Sequence, residues 1–75
     1  MFITLKCFAT LRQYQPEEAE HLELPPGTSI EDLLQRLGID SREVKLIFVN
    51  NKSASRTTLL EEGDTVGLFP AVGGG

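Results

Sequence analysis

The stretch FITLKCFA, from Phe2 to Ala9, puts Ile3, Leu5, Cys7 and Ala9 on one parity and Phe2, Thr4, Lys6 and Phe8 on the other. That is the two-residue period of a strand. After a polar segment ending in Gln15-Pro16-Glu17-Glu18, alternation returns in Glu20-His21-Leu22-Glu23-Leu24 and stops at Pro25-Pro26-Gly27. These two strands are expected to pair antiparallel. Thr28-Ser29-Ile30-Glu31 has the form of a capping box, with Thr28 and Glu31 satisfying the free amides of a helix start. Ile30, Leu33, Leu34 and Leu37 then share one helical face, and Gly38 suits the left-handed position that ends a helix. In Lys45 to Asn50 (KLIFVN) four apolar residues follow one another, so the strand is clear but its inward parity is open between Leu46/Phe48 and Ile47/Val49. Asn50-Asn51 predicts a hairpin turn, with Ser53 to Ser55 as a weak return strand. Glu62-Gly63-Asp64 predicts another turn and Thr65 to Phe69 the last strand, closed by Pro70, which has no amide for a ladder.

Strand, strand, helix, strand, weak strand, strand is the order of an α+β roll, one helix covering one face of a mixed four- to five-stranded sheet. Both terminal strands are apolar on both parities, as central strands are, and a crossover through the helix sets them side by side and parallel. This is the β-grasp arrangement. It divides the chain into a domain of residues 1–70 and a tail of residues 71–75 projecting from the edge of the sheet.

Seventy-five residues leave no room for a second domain. A chain of this size buries only ~60% of its unfolded surface, for a stability of ~4 to 11 kcal/mol and little space for a deep pocket. With 40% hydrophobic and 24% charged residues the composition is that of an ordinary globular domain. No apolar run approaches the ~18 residues of a membrane span. The formal charge of −4 and the absence of a Lys/Arg cluster argue against a nucleic-acid partner. One cysteine cannot close an internal disulfide, and the N-terminus lacks the pattern of a signal peptide. The expected location is the cytoplasm, with no membrane partner.

The chemistry points to the other end of the chain. Gly73-Gly74-Gly75 closes the sequence, an ending that average glycine usage of about 7% produces by chance in only ~0.03% of chains. Without Cβ atoms such a tail can thread a narrow channel and leave its terminal carbonyl open to attack from either side. A carboxylate is a poor electrophile and must first become a mixed anhydride, most simply an acyl adenylate. This chain has no phosphate-binding glycine-lysine loop for that step. A separate adenylating enzyme is implied, which uses the ATP, while no cofactor is bound here. The activated carbonyl can then be attacked by sulfide or a persulfide to give a thiocarboxylate, or by an amine to give an amide conjugate.

The ending Gly63-Asp64-Thr65-Val66-Gly67-Leu68-Phe69-Pro70-Ala71-Val72-Gly73-Gly74-Gly75 resembles the G-D-x-V-x-x-F-P-P-V-A-G-G ending of the ubiquitin-like sulfur carriers of the MoaD/ThiS family. Phe8-Ala9-Thr10-Leu11-Arg12 is similar to the F-A-x-L-R stretch of the molybdopterin synthase small subunit, and Val49-Asn50 sits where that family has its V-N turn. The first stretch and the Phe-Pro pair favour the molybdopterin branch over the thiazole carriers. Ala71 departs from the family's second proline and Gly73 from its alanine, and both departures loosen the tail.

The resemblance implies a ubiquitin-like protein that is no enzyme itself, but a carrier of sulfur as a Gly75 thiocarboxylate with Gly74 beside it. Its implied partners are a ubiquitin-activating-type adenylating enzyme, a sulfur donor and the large subunit of molybdopterin synthase. Phe8, Phe69, Pro70, Val72 and Gly73 are the implied partner contacts. The alternatives are sulfur delivery to thiazole, cysteine or tRNA, or a modifier conjugated to lysines.

Four other features carry weaker signals. Cys7 has no second cysteine or adjacent base and reads as a small buried hydrophobe rather than a sulfur relay. His21 lacks companions for a metal site and reads as a partly exposed strand residue. Glu17, Glu18, Glu20 and Glu23 form either a solvated surface or a dock for a basic partner. Phe2, Phe8 and Phe69 share the parity facing away from the helix, and form a partner patch beside the tail unless loops cover them.

Overall fold

The computed structural model describes residues 1–71. Alternation in the first segment gives β1 (Phe2–Cys7), with Ile3, Leu5 and Cys7 buried. The strand ends before Ala9, which turns at φ 51° into a 3₁₀ helix, Ala9–Tyr14, and is exposed rather than inward-facing. The turn carries Leu11 into the core at 1% exposure. Burying a leucine contributes ~1.5–3 kcal/mol, enough to offset the ~1–2 kcal/mol cost of a left-handed alanine. The second strand is shorter than its alternation suggests. Ala19–His21 is a 3₁₀ turn, so His21 lies outside the strand, and β2 is only Leu22–Glu23, paired antiparallel with β1.

The helix α1 (Ile30–Leu37) buries Ile30, Leu33 and Leu34, packs Leu37 partly against the core, and ends at Gly38 with φ 76°. Its cap lies one residue later than expected. Ser29 accepts from the Asp32 amide at 3.1 Å and Asp32 accepts from the Ser29 amide at 3.2 Å, which completes the box. Thr28 is buried, and its hydroxyl donates instead to the Pro25 carbonyl at 2.6 Å, stitching the turn before the helix. The first helical amides, Ile30 and Glu31, donate to the carbonyls of Thr58 and Arg56 at 2.9 and 2.8 Å. Donors that a helix cannot satisfy internally are thus used to hold the long loop.

Beyond the helix come β3 (Val44–Val49), β4 (Lys52–Ser53) and β5 (Thr65–Pro70). Asn50 and Asn51 turn the β3–β4 hairpin at φ 53° and 67°. The return strand is Lys52–Ser53 rather than Ser53 to Ser55. The five-stranded sheet runs β2-β1-β5-β3-β4, with β1 and β5 parallel and the other pairings antiparallel. The mixed sheet with one main helix and adjacent parallel terminal strands is the expected β-grasp roll. Val66, Leu68 and Ile47 are buried in the core, which settles the parity of β3: Ile47 faces inward and Phe48 the opposite way. Among the described residues no helix is long and apolar enough to cross a membrane.

Candidate functional site

The side of the sheet opposite α1 carries the aromatic residues. Lys6 of β1 pairs with Gly67 of β5, and Gly67 pairs with Phe48 of β3, so these three stand abreast on neighbouring strands. Phe8 and Phe69 stack over this row, ring centroids 4.3 Å apart and planes 3° apart, and Phe48 meets Phe69 edge-on at 5.6 Å and 84°. A Cβ added to Gly67 would lie 3.6 Å from both the Phe8 and Phe69 rings, an ordinary contact. Glycine is therefore not forced here by clashes within the chain, and its effect is to keep the floor of a hollow open. The hollow measures about 320 Å³, with Lys6, Asn51 and Thr65 completing its lining. Leu46, the cross-strand partner of Phe69, extends the apolar surface at 48% exposure.

Of the residues singled out in the sequence, Phe8 and Phe69 are brought together and Pro70 ends the strand beside them, paired with Val44. Phe2 does not join them. It sits at the far end of β1, stacked on His21 at 4.0 Å, so the patch has Phe48 as its third ring instead. Phe48 was hidden by the continuous apolar run of β3, and the burial of its neighbour Ile47 and its own edge contact with Phe69 reveal its side. Val72, Gly73, Gly74 and Gly75 lie outside the described residues.

The strand bearing the tail is central in the sheet, and its last described backbone bond is from the Ala71 amide to the Glu43 carbonyl at 3.0 Å. Four residues follow Ala71. At ~3.3–3.6 Å per residue they span at most ~14 Å. Lys6 and Arg12 line a second hollow on the other side of Phe8, putting cationic side chains beside the apolar patch. The acidic side chains of Glu17, Glu18, Glu20 and Glu23 are exposed. Burial pushes the Cys7 thiol pKa up, which disfavours the reactive thiolate and fits a packing role. Among the described residues no group of three or more His, Cys, Asp or Glu could hold a metal ion. The face thus combines an apolar aromatic surface with neighbouring cationic side chains, beside the end of β5.

The ThiS family profile matches residues 5–75. A candidate molybdopterin converting factor subunit 1 from Pyrococcus furiosus is similar in structure, with a TM-score of 0.73, 29% identity, and coverage of 96% of this chain and 99% of that one. SAMP1 from Haloferax volcanii shares the fold at a TM-score of 0.72 and 21% identity, with both chains covered completely. Comparison with curated protein sequences yields no match. With its ubiquitin-like roll and a profile match over nearly its whole length, the chain belongs to the ThiS family, whose members are small sulfur carriers that work with adenylating enzymes and partner subunits.

Proposed function

We propose that the Gly75 carboxylate is the reactive group of this protein, adenylated by a partner enzyme, converted to a thiocarboxylate and used to supply sulfur in molybdopterin synthesis. The carboxylate oxygen attacks the α-phosphorus of ATP and displaces pyrophosphate. Hydrosulfide then adds to the acyl carbon and AMP departs, so one oxygen of the terminus is exchanged for sulfur. Gly73 and Gly74 let the activated carbonyl pass into narrow partner sites, while Phe8, Phe69 and Pro70 dock the body outside, with Val72 between body and tail. The observation that carries this reading is the Phe8–Phe69 stack. It joins the two sequence stretches resembling the molybdopterin synthase small subunit into one surface at the root of the tail. The Pyrococcus furiosus relative supports the same branch through its designation.

The test is incubation with an adenylating enzyme, ATP and a sulfur donor, followed by intact mass and then by addition of a molybdopterin synthase large subunit. A single oxygen-to-sulfur exchange, reversed on addition of the large subunit with its pterin substrate, is the expected result. Conjugates on lysines of other proteins would make the chain a modifier. A thiocarboxylate that the large subunit fails to consume would move it to another sulfur acceptor.

A further inference from the structure

The root of the tail is held by a chain of hydrogen bonds separate from the aromatic face. Glu43, whose carbonyl accepts from the Ala71 amide, closes a short 3₁₀ turn, Ser41–Glu43. Asp40 caps that turn, accepting from the Arg42 amide at 2.9 Å through its side chain and from the Glu43 amide at 2.9 Å through its carbonyl. The Glu43 carboxylate in turn receives the Tyr14 hydroxyl, which lies 3.1 and 3.0 Å from its two oxygens. Tyr14 is the last residue of the 3₁₀ helix that follows Phe8, and its ring packs against the core. Directly after Glu43, the β3–β5 register slips between Val44 and Leu46, leaving Lys45 as an extra residue opposite the end of β5. Bulges of this kind locally twist and re-aim a strand. The Tyr14 hydroxyl adds to that turn a tie from outside the sheet.

We infer that Tyr14, acting through Glu43, is a positioning residue that aims the tail, a role that rests on the carrier reading proposed above. Ala71 is the last residue held by a described backbone hydrogen bond, so its placement fixes the point from which the following residues start. Misplacement of a reacting group by ~1 Å can cost ~10²-fold in rate. The clamp and the aromatic face thus divide the work: the face sets affinity for a partner, and the clamp sets where the carboxylate arrives. A charged acceptor for the phenol makes this tie stronger than a neutral hydrogen bond would be.

Tyr14→Phe keeps the packed ring and removes only the hydroxyl. In ATP–pyrophosphate exchange with the adenylating enzyme it should lower kcat for this protein by ~10-fold or more with KM within ~2-fold, the signature of a lost transition-state placement. Glu43→Ala should match it, and Glu43→Gln, whose amide oxygen still accepts from the phenol, should restore kcat to within ~3-fold of wild type. Amide hydrogen exchange at Ala71 should quicken in Tyr14→Phe and Glu43→Ala and stay slow in Glu43→Gln. The inference is overturned if Ala71 stays protected without the hydroxyl, if its exchange quickens while kcat holds, or if KM rather than kcat changes. If wild-type protein supports no exchange of pyrophosphate, the carrier reading itself falls and the positioning role with it, while the Ala71 exchange data still report whether the hydrogen-bonded clamp exists.

Discussion

Ala9 adopts φ 51°, a conformation costing an L-residue ~1–2 kcal/mol, and it does so to send Phe8 and Leu11 to opposite sides of one turn. Ala9→Gly removes that strain but adds ~0.5–1 kcal/mol of unfolded-state entropy to be lost on folding. The variant should therefore gain up to about 1.5 kcal/mol in urea unfolding, and a clear destabilisation would show that the alanine is at ease. Asp40 gives the other residue-level expectation. The Arg42 guanidinium, and then the Arg42 amide, hold its carboxyl at about 2, below the ordinary 3.8. A lowered folded-state pKa contributes stability above the unfolded value and loses it as pH falls through the folded one. Wild-type protein should thus lose its advantage over Asp40→Asn between about pH 4 and pH 2, measured by urea midpoints across that range. The effect is small because the pair is exposed.

The helix shows how much an element owes to its neighbours. Ile30, Leu33 and Leu34 have almost no exposure, and an eight-residue helix is too short to persist alone in water. Leu34→Ala should destabilise the domain by ~2–5 kcal/mol in chemical denaturation, a large part of its total stability. A loss below ~1 kcal/mol would mean that the surrounding core closes over the gap. The apolar face and the glycine stop were legible because each follows from spacing within one turn. The cap was legible as a motif, but its register was not. Thr28-Ser29-Ile30-Glu31-Asp32 contains two overlapping boxes, and the choice fell to Ser29 and Asp32 because the Thr28 hydroxyl is taken by the Pro25 carbonyl. The short strands β2 and β4 limit the exposed sheet edges to two residues each, which restrains edge-to-edge association.

At the scale of the molecule, body and tail can be tested apart. Phe69→Ala removes a ring stacked on Phe8 and edge-on to Phe48, so it should weaken docking to the adenylating enzyme by ~1 kcal/mol or more. In pyrophosphate exchange this should raise KM. A fold that unravels, or an unchanged affinity, would remove the face from the proposal. Deleting Gly75 shortens the arm by ~3.5 Å, and adenylation should collapse by ~10²-fold or more while the body still binds. Gly74→Val should block the same step by bulk at constant length, and Gly73→Ala should be tolerated. Normal thiocarboxylate formation in both the deletion and Gly74→Val would end the carrier reading.

Local periodicity was enough to place five strands and one helix, because each depends on residues close in sequence, and the apolar character of both terminal strands together with a crossover through the helix was enough to set them side by side. Phe8 and Phe69 could be matched by parity alone. Three features required the folded chain. The inward side of β3 was open while four apolar residues ran together, and became definite once Ile47 met Leu68 and Phe48 met Gly67 across the ladder. Phe2 parted from the other rings because strand parity assigns a side but not a distance along it, and β1 puts Phe2 and Phe8 at opposite ends. The Tyr14–Glu43–Ala71 clamp joins three segments far apart in the chain. No spacing rule reaches across such separations; long-range packing and hydrogen bonding brought them together.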